Sequence, residues 1–147
     1  MFKIGVVGAG HLGKIHLKIL QNAPFVNLIG FIDNDLAVRA NVKKDFNIRS
    51  FDSYQEMIKE SDIIDIVTPT LSHYSCAKEA LKANKHVFIE KPVTHTVEEV
   101  KKLITLAQIT NKKVQVGHVE RFNPAFTEAR KLIQHPRFIE VHRLAQF

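Results

Sequence analysis

Three glycines follow the first apolar run of the chain, and their spacing constrains the fold more than any other feature of the sequence. Residues 2–7 are mostly apolar, Gly8, Gly10 and Gly13 follow with the spacing G-x-G-x-x-G, and a helical pattern of apolar residues begins at Leu12. This order predicts a strand, a tight turn and a helix. Gly8 lets the chain turn sharply, Gly10 lets a bound group approach the backbone, and Gly13 lets the helix pack closely on its strand.

The same turn predicts a site for phosphate groups. The first N–H groups of a helix have no partner within the helix, and this end carries a positive partial charge, so an anionic pyrophosphate is favoured there. The predicted contacts are Gly8, Gly10, His11, Leu12 and Gly13. Because three glycines also occur in ordinary loops, the sequence that follows has to support this prediction.

A second apolar run, from Val26 to Ile32, ends in Asp33, twenty residues after Gly13. In dinucleotide-binding folds an acidic residue at this place accepts hydrogen bonds from the adenosine ribose and repels a 2′-phosphate. The predicted cofactor is therefore NAD, with NADP disfavoured. The alternative is that the glycines mark a loop and Asp33 merely ends a strand. The agreement of strand, turn, helix and spacing favours the dinucleotide site.

Strand-like and helix-like segments alternate through the rest of the chain. The predicted strands are residues 2–7, 26–32, 48–51, 63–67, 86–89 and 114–116, and a last strand is predicted over 138–147. Ser53 with Glu56 and Thr96 with Glu99 have the spacing of capping boxes, which predicts two helix starts. This alternation predicts an α/β fold of the Rossmann type, a doubly wound parallel sheet with helices on both faces.

Composition bounds the classes of function. The 147 residues include 21 Lys and Arg against 15 Asp and Glu, but the basic residues are dispersed, so a nucleic-acid partner is not expected. No apolar run approaches 18 residues, so no membrane span is expected. Cys76 is the only cysteine and no signal peptide is apparent, which favours the cytoplasm. No pair of histidines has metal-ligand spacing with a carboxylate nearby, so no metal is expected.

The unusual residues of the sequence gather where the predicted strands end. Besides the glycine turn and Asp33, they are Thr68, Pro69, Glu90, Lys91, Gly117 and His118. In an open α/β sheet, ligands bind outside the carboxyl ends of the strands. The sequence therefore predicts one shared ligand crevice at this edge of the sheet.

Four stretches of the chain resemble the amino-terminal domain of the Gfo/Idh/MocA family (glucose-fructose oxidoreductase and inositol 2-dehydrogenase) of NAD(P)-dependent sugar oxidoreductases. They are residues 8–16, 68–73, 90–92 and 117–124. The Glu-Lys-Pro stretch and the Gly-His-x-x-Arg-Phe-Asn-Pro stretch, in this order, are the specific ones. The resemblance implies a Rossmann domain over 1–122. Residues 123–147 are then the linking helix and first strand of an α+β substrate domain that this chain does not contain.

The resemblance also implies roles for individual residues. Lys91 matches the family's active-site lysine, which contacts the substrate hydroxyl and assists proton transfer during hydride transfer. Glu90 is expected near the nicotinamide ribose, and Thr68, Pro69 and His73 match a loop that lines the cofactor. Without the motif, a solvated loop lysine would be the simplest interpretation of Lys91.

Four histidine and arginine positions complete the candidate residues. His118 and Arg121 match family positions near the nicotinamide and the substrate, and His118 is a catalytic candidate. A packing histidine with one hydrogen bond is the alternative for His118. His11 and His16 lie on or beside the first helix and are interpreted as structural, although His11 stays among the predicted cofactor contacts because it lies within the glycine turn.

The predicted function is the NAD-binding half of an oxidoreductase that transfers a hydride between a sugar or nucleotide-sugar hydroxyl and nicotinamide. The 147-residue chain by itself is expected to be inactive, because one face of the site is open to water. The full-length form is expected to be a homo-oligomer. The alternative is a non-catalytic dinucleotide-binding sensor or assembly module. Lys91 separates the two, since a sensor needs no proton-transfer group in the crevice.

Overall fold

The computed structural model describes residues 1–142, and within them five parallel strands form one sheet. The strands are β1 (Phe2–Val7), β2 (Val26–Ile32), β3 (Ile63–Ile66), β4 (His86–Ile89) and β5 (Val114–Val116). They lie in the order β2-β1-β3-β4-β5, and every pairing is parallel. The predicted α/β fold of the Rossmann type is confirmed.

Five helices connect the strands on both faces of the sheet. They are α1 (His11–Gln21), α2 (Leu36–Phe46), α3 (Tyr54–Glu60), α4 (His73–Lys82) and α5 (Val97–Thr110), with a short 3₁₀ turn at Thr70–Ser72. After β5 the chain forms a 3₁₀ turn at Val119–Phe122 and a further helix, α6 (Pro124–Leu132). In the part of the chain that the structure describes, no helix is long and apolar enough to cross a bilayer.

Two buried clusters hold the helices to the sheet. Val6 of β1 packs with Leu17 of α1 and Val42 of α2. Val7, the next residue of β1, belongs to a second cluster with buried residues of α3, α4 and α5. Successive strand residues face opposite sides of a sheet, so β1 is buried on both faces, as the doubly wound fold requires.

The two predicted capping boxes have different outcomes. At the start of α5, the Thr96 hydroxyl accepts a bond from the Glu99 N–H, and the Glu99 carboxylate accepts one from the Thr96 N–H. At the start of α3, the Ser53 hydroxyl accepts a bond from the Glu56 N–H at 3.1 Å. The Glu56 carboxylate, however, accepts from Arg49 at 2.8 Å. Only half of the second predicted pattern therefore forms as expected.

The predicted strand over 48–51 is wrong. Phe31 and Ser50 form one isolated parallel bridge, in which the Phe51 N–H donates to the Phe31 carbonyl at 2.8 Å. The pairing cannot extend because the chain turns directly into α3. The apolar side chains of Ile48 and Phe51 are buried, at 7% and 1% exposure. An apolar segment of this length indicates burial, but it does not distinguish a strand from a packed loop.

The chain divides into two compact units, residues 1–117 and residues 118–147. The described part of the second unit contains α6, where the Asn123 side chain accepts from the Ala125 N–H at 3.0 Å and Pro124 is the first helical residue, as predicted. The predicted strand over 138–147 is absent from 138–142, where no backbone among the described residues pairs with it. Residues 143–147 lie outside the described part.

Candidate functional site

The five strands end on one line across the sheet. The register pairs Ile32 with Val7, Val7 with Ile66, Ile66 with Ile89, and Ile89 with Val116. The residues that come next lie together at the carboxyl edge, and they are Asp33, Gly8, Val67, Glu90 and Gly117. The register therefore brings the glycine turn, Asp33, the Thr68 segment and the Glu90 segment to one crevice edge within the first unit.

Gly8 and Gly13 are required by packing inside the protein. Gly8 has a φ of +93°, and a Cβ there would lie 2.7 Å from the carbonyl oxygen of Val67. A Cβ at Gly13 would collide with the carbonyl oxygen of Gly8 and lie 2.8 Å from its carbonyl carbon. Because both obstacles are backbone atoms, no side-chain rotation can relieve them. The turn, the end of β3 and the start of α1 are thus packed backbone against backbone.

At Gly10, by contrast, no contact within the protein requires a glycine. Its φ of −63° suits any residue, and a Cβ there would meet nothing within 4 Å. Gly10 begins α1, where no side chain caps the helix and no acidic residue lies in the first turn. Open space, free N–H groups and positive partial charge meet at this point. These features fit a pyrophosphate lying against the helix end.

The Asp33 carboxylate is held in place beside this turn. One of its oxygens accepts a hydrogen bond from the Ala9 N–H at 2.7 Å, and the other accepts one from the Asp35 N–H at 2.9 Å. An ionised carboxylate can accept about four hydrogen bonds, so the half-buried group retains acceptor capacity toward the crevice. Asp33 therefore both fixes the glycine turn and offers acceptors to ribose hydroxyls.

The Thr68 segment is tethered by His73. The imidazole of His73, which is 1% exposed, has its Nε2 2.8 Å from the Thr68 carbonyl oxygen and its Nδ1 2.9 Å from the Pro92 carbonyl oxygen. His73 thus lies beneath two segments of the edge and joins them, while Pro69 is exposed. The Thr68 hydroxyl is buried and has no hydrogen-bond partner among the described residues, which fits a donor or acceptor supplied by a ligand.

Lys91 lies exposed just beyond β4, and the Lys91–Pro92 peptide bond is cis. The Lys91 N–H donates to one Glu90 carboxylate oxygen at 3.1 Å. The other Glu90 oxygen lies 3.5 Å from Nε2 of His16. A Cβ at Gly117 would collide with the Glu90 carboxylate, so a larger residue there would displace that side chain. Glu90 is consequently enclosed in the wall of the crevice, whereas Lys91 reaches solvent.

The sequence interpretation missed one buried group, Asp65. Asp65 lies in the middle of β3 with 2% exposure, and its Oδ2 is 2.8 Å from Nδ1 of His16. Its other oxygen has no partner among the described residues. Burial raises the pKa of Asp65 above its ordinary value of 3.8, against the opposing effect of the His16 hydrogen bond. The sequence contains a signal for this buried pair, because an acidic residue within an apolar strand needs a hydrogen-bonding or charged partner.

His16 has a raised pKa for a related reason. Its hydrogen bond to Asp65 raises the pKa from the ordinary 6.5, and this outweighs the lowering effect of burial, with the charges of Asp65 and Glu90 adding to the increase. His16 is thus one corner of a buried cluster at the crevice edge.

The raised pKa of His16 predicts a pH dependence of stability. Because folded His16 binds its proton more tightly than unfolded His16, its contribution is complete below about pH 6.5 and is lost as the pH rises through the folded pKa. The raised pKa of Asp65 has the same sign, but its contribution is complete only below the ordinary value of 3.8 and begins to be lost at lower pH than that of His16. We expect the free energy of unfolding, measured by denaturant titration, to fall between about pH 6 and pH 8.5. The expected loss is about 1.4 kcal/mol for each pH unit that separates the folded pKa from the unfolded one.

The control for this measurement is His16→Gln, in which the slope should be smaller. The measured pH range ends below the pH at which the Cys76 thiol titrates, because burial raises the pKa of that thiol above its ordinary 9.0. A free energy that stays level or rises with pH in the native chain would contradict the assignment.

His118 and Arg121 belong to the second unit. His118 precedes the 3₁₀ turn, the Arg121 N–H donates to the His118 carbonyl oxygen at 3.0 Å, and both residues are exposed. Their roles toward nicotinamide and substrate stay predictions. Within residues 1–142, no group of three or more His, Cys, Asp or Glu is arranged to hold a metal ion.

The fold and this edge define a dinucleotide-binding Rossmann domain. The parallel sheet, the glycine turn that opens α1 and the acid at the end of β2 are its diagnostic features. The model of the Gfo/Idh/MocA oxidoreductases, described as an oxidoreductase family with an NAD-binding Rossmann fold, matches residues 2–118. The chain belongs to this family, as the resemblance predicted.

Curated relatives include two dehydrogenases. UDP-N-acetylglucosamine 3-dehydrogenase of Acidithiobacillus ferrooxidans is 36% identical over 146 residues, which are 99% of this chain and 46% of the relative. Inositol 2-dehydrogenase of Rhizobium meliloti is 30% identical over 141 residues, 95% of this chain and 42% of the relative. This chain therefore spans less than half the length of these relatives.

A solved structure shows the same similarity in three dimensions. The structure of the Acidithiobacillus ferrooxidans UDP-N-acetylglucosamine 3-dehydrogenase GnnA matches with a TM-score of 0.81 and 35% identity. The match covers 89% of this chain and 43% of that chain. The Rossmann architecture is thus shared with a nucleotide-sugar dehydrogenase over most of the present sequence.

Proposed function

We propose that this chain is the NAD-binding half of an oxidoreductase that transfers a hydride between a sugar or nucleotide-sugar hydroxyl and nicotinamide. The observation that carries the proposal is Gly10, which faces open space at the uncapped start of α1 with Asp33 held beside it. Membership of an NAD-binding oxidoreductase family and similarity to UDP-N-acetylglucosamine 3-dehydrogenase and inositol 2-dehydrogenase support the substrate class.

Different residues at the crevice edge would bind different parts of the cofactor. The N–H groups of His11, Leu12 and Gly13 would hold the pyrophosphate, and the Asp33 carboxylate would accept hydrogen bonds from the adenosine ribose. The unpartnered Thr68 hydroxyl would bond the cofactor from the end of β3. When bound, the nicotinamide ring would accept or supply the hydride.

Lys91 would handle the proton that accompanies the hydride. When an alcohol is oxidised to a ketone, the carbon loses a hydride and the hydroxyl loses a proton. A lysine amine at the edge can accept that proton, and its ammonium can return it in the direction of reduction. The exposed position of Lys91 beyond β4 supports this role, since the side chain is accessible to a substrate.

The cofactor preference is tested at Asp33. The native chain is expected to bind NAD more tightly than NADP, because the anionic carboxylate repels a 2′-phosphate. Asp33→Ala removes both the charge and the acceptors, and we expect the preference for NAD to shrink by about tenfold, which corresponds to about 1.4 kcal/mol. Calorimetric titration of both nucleotides into the native and variant chains measures the ratio.

A second variant separates charge from hydrogen bonding. Asp33→Asn retains an oxygen acceptor of similar shape but loses the negative charge. It should accept NADP better than the native chain while losing less NAD affinity than Asp33→Ala. Equal affinity of the native chain for NAD and NADP would remove Asp33 from cofactor selection.

A further inference from the structure

We propose that His16 is a positioning residue that, as an imidazolium, bridges the carboxylates of Asp65 and Glu90 and so ties the phosphate-binding helix α1 to the strand end that carries Lys91. The chemical role of Lys91 rests on the proposed function, but the bridge itself is a property of this chain alone.

The contacts place His16 between three elements. From α1 its Nδ1 lies 2.8 Å from Asp65 Oδ2 on β3, and its Nε2 lies 3.5 Å from Glu90 Oε1 at the end of β4. The ring of Phe88 on β4 meets the imidazole edge to face, with the ring centroids 5.9 Å apart. The side chains of His16, Asp65 and Glu90 are only 16%, 3% and 12% exposed. These interactions are therefore weakly screened by water.

When Asp65 and Glu90 are both ionised, the arrangement favours one charge state of the ring. A neutral imidazole has one N–H, so if Nδ1 donates to Asp65, the lone pair of Nε2 faces the Glu90 carboxylate. An imidazolium presents an N–H to each carboxylate. It also offsets the repulsion between two carboxylates that are largely removed from water. The titratable groups facing the ring are Asp65 from β3 and Glu90 from β4, and both act to raise the pKa of His16.

The bridge reaches Lys91 through Glu90. The second Glu90 oxygen accepts the Lys91 N–H at 3.1 Å, and Gly117 closes the space on another side of the carboxylate. When His16 loses its proton, Glu90 loses its cationic partner, and the field at the Lys91 N–H changes. The protonation of a helix α1 residue should thus be detectable at the Lys91 backbone.

A pH titration followed by NMR tests the bridge without cofactor or substrate. In the isotope-labelled 147-residue chain, the His16 ring signal and the Lys91 amide signal should move with one shared midpoint, above the value of about 6.5 for a free histidine. In His16→Gln the Lys91 transition should disappear. In Asp65→Asn, which removes the largest cause of the raised His16 pKa, the shared midpoint should move to lower pH.

The matched control is His86→Gln, at the start of β4, the strand whose other end leads to Glu90 and Lys91. His86 begins β4, and its Nδ1 accepts a bond from the Lys113 N–H at 3.1 Å. This change should leave the Lys91 transition in place. If a variant fails to fold, the native chain still tests the bridge, because the His16 ring signal and the Lys91 amide signal must share one midpoint.

Several outcomes would overturn the bridge. They are a Lys91 amide that does not follow His16 in the native chain, a transition that survives His16→Gln, and a midpoint unmoved by Asp65→Asn. Failure of the chain to bind NAD would instead contradict the proposed function and leave these signals unchanged. The two failures are therefore distinguishable.

Discussion

A Lys91→Ala variant of the oxidoreductase that we propose contains this chain is expected to lose about a hundredfold to ten-thousandfold of its turnover, the usual contribution of a positioned acid–base group. Its NAD affinity should change by no more than about threefold, because the pyrophosphate and ribose sites lie at α1 and Asp33. Steady-state kinetics with sugar and nucleotide-sugar substrates, combined with NAD titration, separates the two effects.

The control for this variant is Lys85→Ala. Lys85 immediately precedes β4, at the amino end of the strand whose carboxyl end leads to Lys91. It has the same charge but lies at the opposite edge of the sheet, so turnover should persist. Unchanged turnover in Lys91→Ala would remove this lysine from the mechanism. That outcome would favour a non-catalytic dinucleotide-binding module.

The second large effect is expected at the glycine turn, where Gly13 and Gly10 give a matched pair. In Gly13→Ala the new Cβ collides with the backbone of Gly8, and neither atom belongs to a side chain that can rotate away. We expect a loss of about 2–3 kcal/mol in the free energy of unfolding, as for other overpacked sites. Denaturant unfolding of the native and variant chains measures this loss.

Gly10→Ala should show the opposite pattern. Its Cβ meets nothing within 4 Å and its φ of −63° is ordinary, so stability should stay within about 0.5 kcal/mol of the native value. Binding of NAD should nevertheless weaken by about tenfold or more, because the methyl group occupies the space in which the pyrophosphate approaches the backbone. A Gly10→Ala chain that binds NAD normally would contradict the proposed position of the cofactor.

Much of the fold followed from local chemistry. The strand, turn and helix at the glycines, the capping box at Thr96 and the helix that begins at Pro124 depend on residues close in sequence, whose backbone preferences act over a few positions. The segment 48–51 shows the limit of such reasoning. Its apolar residues indicated burial correctly, but whether they join a sheet depends on how long the neighbouring backbone stays in pairing distance.

In the candidate site, too, some residues could be recognised from the sequence and others only from tertiary contacts. Gly8 and Asp33 were recognisable from the spacing of a dinucleotide-binding turn, and Glu90 and Lys91 from their position after a buried strand together with the family motif. Asp65 was passed over as part of an apolar strand, although a charged residue there requires a buried partner. That partner comes from α1, far away in the sequence.

The sequence by itself determined that this chain forms a Rossmann domain with a glycine turn and an acid at the second strand, and it identified the family through short motifs. Those signals are local, or follow from strand order alone. Only the tertiary structure decided that Gly13 is required by the backbone of Gly8 while Gly10 faces open space, and that His16 lies between Asp65 and Glu90. The reason is physical. Close approach and shared protons depend on distances between segments, and these exist only after the helices pack on the sheet.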